Sequence, residues 1–431
     1  MNSQSKKMEL LGSTSIPKAL LAMGIPTMIG MLVNAFYNLV DAYFVGGLGE
    51  SQMGAISVVY PLGQVVVGLG LLFGNGAASY ISRLLGRGDK ENADKVASTA
   101  LYSSVSVGAV IIIISMVFLH PILKLLGATD SILPYAATYA GIYIVSCIFN
   151  VFNVTMNNIV TSEGAAKTTM CALLTGAVLN IALDPLFIYL FDLGVAGAAI
   201  ATAISQVVST CVYLTYIFRK KSVFHFRVKD CTYTKETMSE IFKIGIPTLV
   251  FQILTSVSIS LINNAAGDYG DSAIAGMGVV TRLISMGSLS VFGFIKGFQP
   301  IAGYSYGAKK FDRLREAIKT SILWSTVFCV IFGVILALFP TAIVSQFTKG
   351  DAEMIRIGVT SLRANGISIM LFGFYTVYSS LFLALGKGRE GFILGACRQG
   401  ICFIPVILLL PIVWGLNGIM YAQPIADVLS A

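Results

Sequence analysis

Long, almost uninterrupted apolar segments constrain this chain more than any other feature of its sequence. A helix that crosses the hydrocarbon core of a membrane needs about 20 mostly apolar residues. Membrane β-strands are about ten residues long and alternate strictly, so the length and uniformity of the segments favour helices. Twelve helical segments are predicted, at 16–44, 53–82, 94–119, 133–159, 168–190, 195–218, 238–262, 272–300, 317–344, 354–385, 390–413 and 417–431.

The composition excludes soluble and disordered proteins. Of the 431 residues, 56% are hydrophobic and 12% are charged, whereas soluble domains are about 45–50% apolar and about 25% charged. A soluble chain this apolar could not cover itself with polar surface. The sequence therefore predicts an all-α integral membrane protein. Its net charge of +8 comes from short basic runs between the segments, so we expect a lipid bilayer and no nucleic acid as its partner.

The distribution of Lys and Arg predicts the orientation. Most of the 29 basic residues lie at the N-terminus and after the even-numbered segments, including Lys296 at the end of the eighth segment and Arg398 after the tenth. Lys124, Lys349 and Arg356 fall on the opposite side. Because basic loops stay in the cytoplasm, we expect a cytoplasmic N-terminus in a multi-pass protein of the cell inner (plasma) membrane.

An internal repeat divides the chain. A shift of 221 residues aligns the two halves without a gap, and the alignment includes Gly24-Ile25-Pro26-Thr27 with Gly245-Ile246-Pro247-Thr248. Each half has six segments, an even number, so the halves are predicted to be parallel repeats related by an axis along the membrane normal.

The repeat also predicts the domain limits. We expect an N-lobe at 1–218, a cytoplasmic linker at 219–237 and a C-lobe at 238–431. Ala431 corresponds to Thr210, which lies inside the sixth segment. At 1.5 Å per residue the last segment is too short to cross a bilayer, so we expect the natural chain to continue for at least about ten residues.

Two acids lie deep in the predicted segments. Inserting an ionisable side chain into the middle of the bilayer costs about 2.5–3.5 kcal/mol on insertion scales. Such a residue is therefore a candidate for a functional role. Asp41 and Asp184 both lie in the N-lobe, and the repeat pairs them with Ile262 and Pro405. Since the scaffold is duplicated and the acids are not, we predict a single coupling site in the N-lobe. A carboxyl group in an apolar cavity is readily protonated near pH 7.

Polar residues at helical spacing accompany these acids. Asn180 lies one turn before Asp184, and Pro185 can free the carbonyl of Ile181. The predicted coupling site is Asp41, Asn180, Asp184 and Thr202, with Na+ at these four residues as the alternative to a proton and no other metal site. The candidates for the substrate cavity are Asn34, Tyr37, Asn38, Tyr139, Asn153, Asn157, Gln206 and Arg282.

Structural alternatives remain open for each of these residues. Asp41 lies near a helix end, where its carboxylate can reach interfacial water. The Asn, Thr and Tyr side chains can join membrane helices for about 1 kcal/mol or less each, and Arg282 can pair or extend toward the interface. Pro26 is the predicted bend of the first helix, and a packing kink shared with Pro247 is its alternative.

Motifs for other chemistries are absent from the sequence. There is no GxxxxGK[ST], so we expect no ATP hydrolysis, and His120 and His225 lack a metal-ligand pattern. No arrangement of a nucleophile, a base and an acid stands out. We therefore expect neither an enzyme nor a cofactor.

Five stretches of the chain carry a family resemblance. They are GIPTMIGMLVNAFYNLVDAYFVGGLG (24–49), GNGAASYISRLLGRGDKENA (74–93), ALDPLF (182–187), LGVAGAAIATAISQ (193–206) and GFQPIAGYSYGAKKFDRLREA (297–317). On these motifs the whole chain resembles the multidrug and toxic compound extrusion (MATE) family, in its bacterial DinF-like or MepA-like branch.

The resemblance implies a fold and an activity. It implies twelve transmembrane helices in two six-helix lobes that form a V-shaped cavity. It also implies secondary active export of amphipathic, often cationic, drugs or metabolites in exchange for H+ or Na+, as in xenobiotic export and antibiotic resistance. Alternating access would use a bend at Pro26 and the N-lobe site of Asp41, Asn180, Asp184 and Thr202. We expect a monomer that acts on small molecules.

One departure concerns a second branch of the family, which places cation-binding acids in the seventh and tenth helices. Here Asp268, Asp271 and Asp351 lie near the outer ends of the predicted segments. That placement favours coupling in the N-lobe.

Two other functions are compatible with a chain that crosses the membrane many times. A lipid-linked oligosaccharide flippase of the same superfamily should have a basic central cavity, and the sequence places only Arg282 and Arg363 deep in segments. An integral-membrane enzyme or receptor is disfavoured by the repeat and by the lack of a catalytic arrangement. The multidrug antiporter is the leading prediction.

Overall fold

The computed structural model describes residues 3–48, 50–267, 269–347 and 352–430. Over these ranges the chain forms helices and no β-strand, and eleven of the helices are long and apolar enough to cross a membrane. A twelfth is described over 15 residues. In chain order the helices are α1 Ile16–Gly46, α2 Glu50–Gly86, α3 Lys90–Val117, α4 Leu133–Ser162, α5 Ala166–Leu190, α6 Gly194–Phe218, α7 Lys235–Gly267, α8 Asp271–Gly307, α9 Phe311–Leu338, α10 Ala352–Ala384, α11 Gly388–Trp414 and α12 Leu416–Ser430.

The predicted all-α membrane fold is confirmed, and the helices extend beyond the apolar segments. α8 continues to Gly307, so Lys296 lies about three turns inside it rather than at its end. α11 begins at Gly388, so Arg398 lies about three turns inside a membrane helix, as the segment 390–413 implies, and not in the basic loop after the tenth segment. Both residues were predicted to lie in the basic cytoplasmic fringe, and that prediction is wrong for them.

Two of the membrane helices contain a π-helical turn beside a charged residue. In α5 the α-helix ends at Pro185 and a π turn runs over Leu186–Leu190, as expected because proline lacks the N–H that would continue the ladder. In α11 a π turn covers Cys397–Ile401. Such turns are frequent at functional sites, and these two adjoin Asp184 and Arg398.

The helices α1–α6 form the N-lobe and α7–α12 form the C-lobe. We call basic face the side of the bundle that carries Gly86, Ser162, Phe218, Gly307 and Ala384, and opposite face the other side. The residue limits of the two lobes and of the linker remain a prediction.

The lobes meet along the half of the bundle nearer the basic face. Gly24 of α1 abuts Gly297 of α8, where a Cβ on Gly297 would be 2.5 Å from the Gly24 nitrogen. Arg83 of α2 forms an ion pair with Glu240 of α7 at 2.6 Å, and Ser79 donates to the carbonyl of Leu383 at 2.6 Å. These contacts close the V at the basic face.

A short helix at Ser3–Gly12 lies across this closed end. Lys7 forms an ion pair with Glu163 at 3.2 Å, which fixes the helix to the end of α4. Arg313 of α9 donates to the carbonyl of Leu11 at 3.1 Å and to that of Thr14 at 2.5 Å. The N-terminal helix is thereby bound to both lobes.

Several residues considered in the sequence lie outside the described residues. They are Asp268, Lys349, Asp351 and Ala431.

Candidate functional site

The two deep acids of the N-lobe lie together. The carboxyl groups of Asp41 on α1 and Asp184 on α5 are in hydrogen-bonding contact, although they are far apart in the chain. Asp184 is 0% exposed, and Asp41 is partly buried. Two carboxyl groups in contact cannot both ionise without mutual repulsion, so this pair needs a proton or another cation.

Asn180 and Thr202 complete the cluster. With its nitrogen toward the carboxyl, the Asn180 amide donates to Asp184 Oδ2 at 2.9 Å, and its oxygen accepts from the backbone N–H of Thr202 at 3.2 Å. The Tyr37 phenol lies beside the Thr202 side chain. Asn180 is 1% exposed. The structure therefore brings together all four residues of the predicted coupling site and adds Tyr37 to it.

One oxygen of the pair has no donor among the described residues. Asp41 Oδ1 is buried without a hydrogen-bond partner. A buried polar oxygen of this kind costs free energy unless something binds it. The chemistry of the cluster therefore suits transient binding of a proton or a hard cation.

Asn153 and Gln206 lie in a separate polar contact of the N-lobe. Asn153 donates to the backbone oxygen of Gln206 at 2.9 Å and to its side-chain oxygen at 2.8 Å. Thr210 donates to Asn153 Oδ1 at 2.9 Å. These bonds join α4 to α6.

Four further candidates are not part of the carboxyl cluster, although Tyr139 lies near enough to Asp41 and Tyr37 to interact with them electrostatically. Asn34 and Asn38 are exposed, and Asn38 donates to the Asn34 backbone oxygen at 2.7 Å. Tyr139 stacks on Tyr143, with ring centroids 5.6 Å apart. Pro26 is buried inside α1, which stays helical on both sides of it.

The C-lobe has a buried acid that sequence reasoning missed. Asp427 on α12 forms an ion pair with Arg398 on α11, at 2.7 Å between Oδ1 and Nε. Ser368 donates to Asp427 Oδ2 at 2.9 Å, and Gln423 donates to Asp427 Oδ1 at 2.8 Å. The prediction that deep acids occur only in the N-lobe is therefore wrong.

A cavity of about 560 Å³ lies between the lobes and extends into the C-lobe. Met31, Tyr60 and Asn75 are among its few N-lobe residues, whereas α7, α8, α10 and α11 supply most of its lining. Its charged lining residues, among those described, are Lys296 and Arg398.

The cavity excludes the residues predicted to line it. The lining described by the structure contains none of Asn34, Tyr37, Asn38, Tyr139, Asn153, Asn157, Gln206 and Arg282. Arg282 is exposed on α8, because the helix directs its neighbour Thr281 into the cavity instead. Asn157 lies just behind the lining and accepts a hydrogen bond from Lys296.

The repeat contained the signal for the missed residues. The 221-residue shift pairs Lys296 with Asn75, inside the second predicted segment, and pairs Arg398 with Ala177, inside the fifth. Asp427 pairs with Gln206, which was itself a candidate. The predicted segments 272–300, 390–413 and 417–431 already contain these three residues, and the shift supports their placement inside helices.

Comparisons with known proteins agree with this architecture. The family model MatE matches residues 26–186 and 247–409. The multidrug export protein MepA of Staphylococcus aureus (strain MSSA476) is 32% identical over 415 residues, which cover 96% of this chain and 91% of that protein.

Solved structures of transporters have the same fold as this chain. A structure described as an outward-facing conformation of a multidrug resistance MATE family transporter superposes with a TM-score of 0.93 at 28% identity, covering 99% of this chain and 95% of that one. A crystal structure of MATE in complex with MaL6 also gives 0.93, at 27% identity over 99% and 96% of the two chains. Both repeats of this chain match the family model and its full length matches family members, so the protein belongs to the MATE family of multidrug efflux transporters.

Proposed function

We propose that this transporter exports amphipathic, often cationic, small molecules by antiport and that the Asp41–Asp184 pair binds the coupling ion. The observation that carries the proposal is the direct contact of the two carboxyl groups. A pair in contact holds one shared proton readily and loses it when the groups separate. We therefore favour H+ as the coupling ion, with Na+ at Asp41, Asn180, Asp184 and Thr202 as the alternative.

The position of the pair supports a link between ion binding and helix movement. Asp41 lies on α1, whereas Asp184, Asn180 and Thr202 lie on α5 and α6. Gain or loss of a proton changes how strongly the part of α1 that carries Asp41 is held against α5. Pro26 lies between Gly24, which packs on Gly297 of α8, and the part of α1 that carries Asp41, so it is the proposed point of bending.

The same α1 segment contacts the other lobe. Thr27 Oγ1 donates to the carbonyl of Gly293 on α8 at 2.6 Å. A Cβ on Gly293 would lie 2.5 Å from the Cα of Met28. A bend at Pro26 would change this lobe contact, and alternating access follows if the lobes then open at the basic face.

The orientation and assembly are part of the proposal. The basic face carries the N-terminus and most of the Lys and Arg residues in loops, which supports a cytoplasmic N-terminus. We propose an inner (plasma) membrane location and a monomer, since one chain holds both the cavity and the carboxyl pair.

Transport in proteoliposomes tests the proposal. An imposed pH gradient should drive exchange of an amphipathic cationic dye, and a Na+ gradient alone should drive it only if Na+ is the coupling ion. Asp41→Asn and Asp184→Asn should each lose gradient-driven exchange while still binding the dye. Asp192→Asn is the matched control, because Asp192 is an exposed acid at the end of α5.

Dye transport that ignores both gradients would overturn the coupling proposal. So would unchanged gradient-driven transport in both carboxyl variants.

A further inference from the structure

The cavity between the lobes has an unusual charge for a site that takes cations. Its charged lining residues, in the parts of the chain that the structure describes, are Lys296 and Arg398, and that lining includes no Asp or Glu. A wholly cationic lining repels a cation and attracts an acid group.

The two cations differ in their partners. Arg398 already has a carboxylate, because Asp427 Oδ1 lies 2.7 Å from its Nε. Its guanidinium also lies over the Phe372 ring, 4.4 Å from the centroid. Arg398 is thus neutralised and held in place by the protein.

Lys296 has only a neutral partner. Its ammonium donates to the side-chain oxygen of Asn157 on α4, and among the described residues no carboxylate forms an ion pair with it. An ammonium group has three donors, so two remain after the Asn157 bond. A cationic group with free donors inside a cavity is a ready partner for a carboxylate.

The surroundings of Lys296 are polar at the closed end of the cavity. Asn75, Asn158 and Gln299 lie beside it in the lining. Asn75 donates to Thr248 of the C-lobe at 2.9 Å, so this floor is built by both lobes. Uncharged amides can hydrogen-bond the second oxygen of a carboxylate without adding charge.

An aromatic surface lies one helical turn from the ammonium. Phe292 is at i−4 from Lys296 on α8 and lines the same cavity. Its ring centroid is 6.3 Å from that of Phe251 and 5.3 Å from that of Phe372. A flat ring can pack on these edges while a carboxylate attached to it reaches Lys296.

We propose that Lys296 forms a subsite for the carboxylate of amphipathic aromatic substrates, with the Phe251–Phe292–Phe372 cluster holding the ring system. The substrates concerned are acids and zwitterions. The proposal rests on the export function proposed above and names a substrate class for it.

Equilibrium binding to the purified full chain tests the subsite. The probes are a xanthene dye with a free benzoate carboxyl and the methyl ester of the same dye, and the readout is the ratio of their Kd values by fluorescence anisotropy. The wild type should bind the acid more tightly than the ester. Lys296→Met should lower that preference by about tenfold, the value of one hydrogen bond to a charged group, and should leave ester binding in place.

Two further variants separate the charge from other effects. Lys296→Arg keeps a cation at the site and should keep the preference for the acid. Arg363→Met removes an exposed cation from α10, away from the cavity lining, and should change neither Kd.

The results distinguish the subsite from a purely structural role. If Lys296 only joins the lobes through Asn157, Lys296→Met will weaken both dyes equally, and the proposal is wrong. A wild type that binds the acid no better than the ester also overturns it. Either result leaves the export function standing, because export is judged separately by transport of the ester in proteoliposomes.

Discussion

Arg398 and Asp427 form a buried ion pair between the last two helices of the C-lobe. Their side chains are 7% and 6% exposed, and 2.7 Å separates Nε from Oδ1. Ser368 donates to Oδ2 of the carboxylate, and Gln423 donates to Oδ1. Buried pairs are costly to break because the surviving charge is left without a partner.

Asp427→Asn should therefore destabilise the protein strongly. We expect a loss of about 3–5 kcal/mol in the free energy of unfolding, measured as thermal or denaturant unfolding in detergent. Glu353→Gln is the matched control, because Glu353 pairs with Arg356 at 2.7 Å with both side chains more than half exposed, and such pairs contribute about 0–1 kcal/mol. Equal effects of the two substitutions would contradict this assignment.

Substitutions of Asn153 and Asn180, two polar residues of the N-lobe, should have different effects: one on stability and the other on coupling. Asn153 joins α4 to α6 through Gln206 and Thr210, so Asn153→Ala should cost about 1–2 kcal/mol of stability and leave the dependence of transport on the pH gradient unchanged. Asn180→Ala removes the amide that donates to Asp184, so it should alter that dependence. Proteoliposome transport at several gradient sizes, with unfolding of both variants, tests the division. It fails if Asn153→Ala shifts the gradient dependence as much as Asn180→Ala does.

The coupling site was predictable because its residues are anomalies in their helices. A carboxylate within an apolar segment has few structural explanations, and helical spacing connected Asn180 with Asp184. Contact between α1 and α5 could not be derived this way, because it depends on how the six helices pack. The sequence therefore identified the members of the cluster without establishing that Asp41 and Asp184 contact each other.

Lys296 was misplaced for a physical reason, whereas Arg398 and Asp427 already lay within the predicted segments 390–413 and 417–431 and were overlooked as deep charges. Apolar segments report the thickness of the hydrocarbon core, whereas a helix continues wherever its polar residues pack against protein. α8 runs seven residues beyond the predicted end at 300, reaching Gly307. A basic residue near the end of an apolar run was therefore assigned to the cytoplasmic fringe, although it faces a cavity inside the protein.

Lys7 should give stability a dependence on alkaline pH. Burial lowers the pKa of Lys7 below its ordinary value of 10.5, and the nearby Glu163 carboxylate offsets only part of this effect. Between the lowered pKa and 10.5 the unfolded chain holds a proton that the folded protein has lost. The free energy of unfolding therefore rises with pH in that window.

Lys7→Met should remove this rise, because no group then titrates at the position. Unfolding of the wild type and the variant in detergent, at pH values from about 8 to about 10.5, tests the prediction. Lys6→Met is the control, since Lys6 is exposed on the same helix. Parallel pH profiles for wild type and Lys7→Met would show that Lys7 does not cause the rise.

Two glycines allow the lobes to close at the basic face. A Cβ on Gly307 of α8 would overlap the carbonyl oxygen of Arg83 on α2, and a Cβ on Gly86 would overlap the carbonyl oxygen of Tyr304. These are backbone atoms, so no side-chain rotation can relieve the overlap. Gly307→Ala should therefore separate α2 from α8 and favour a state in which the lobes open at the basic face.

Distances between spin labels across the lobes test this shift. Labels on Lys90→Cys and Arg315→Cys, in a background without other cysteines, report the separation at the basic face, where both residues are exposed. Gly307→Ala should increase the population of long distances, whereas Gly278→Ala on the same helix should not, because nothing lies within 4 Å of a Cβ there. A ligand or substitution shifts an equilibrium between two states only if it changes the free energy of one state more than that of the other. An unchanged distance distribution in Gly307→Ala would therefore mean that this contact does not distinguish the closed state from the open one.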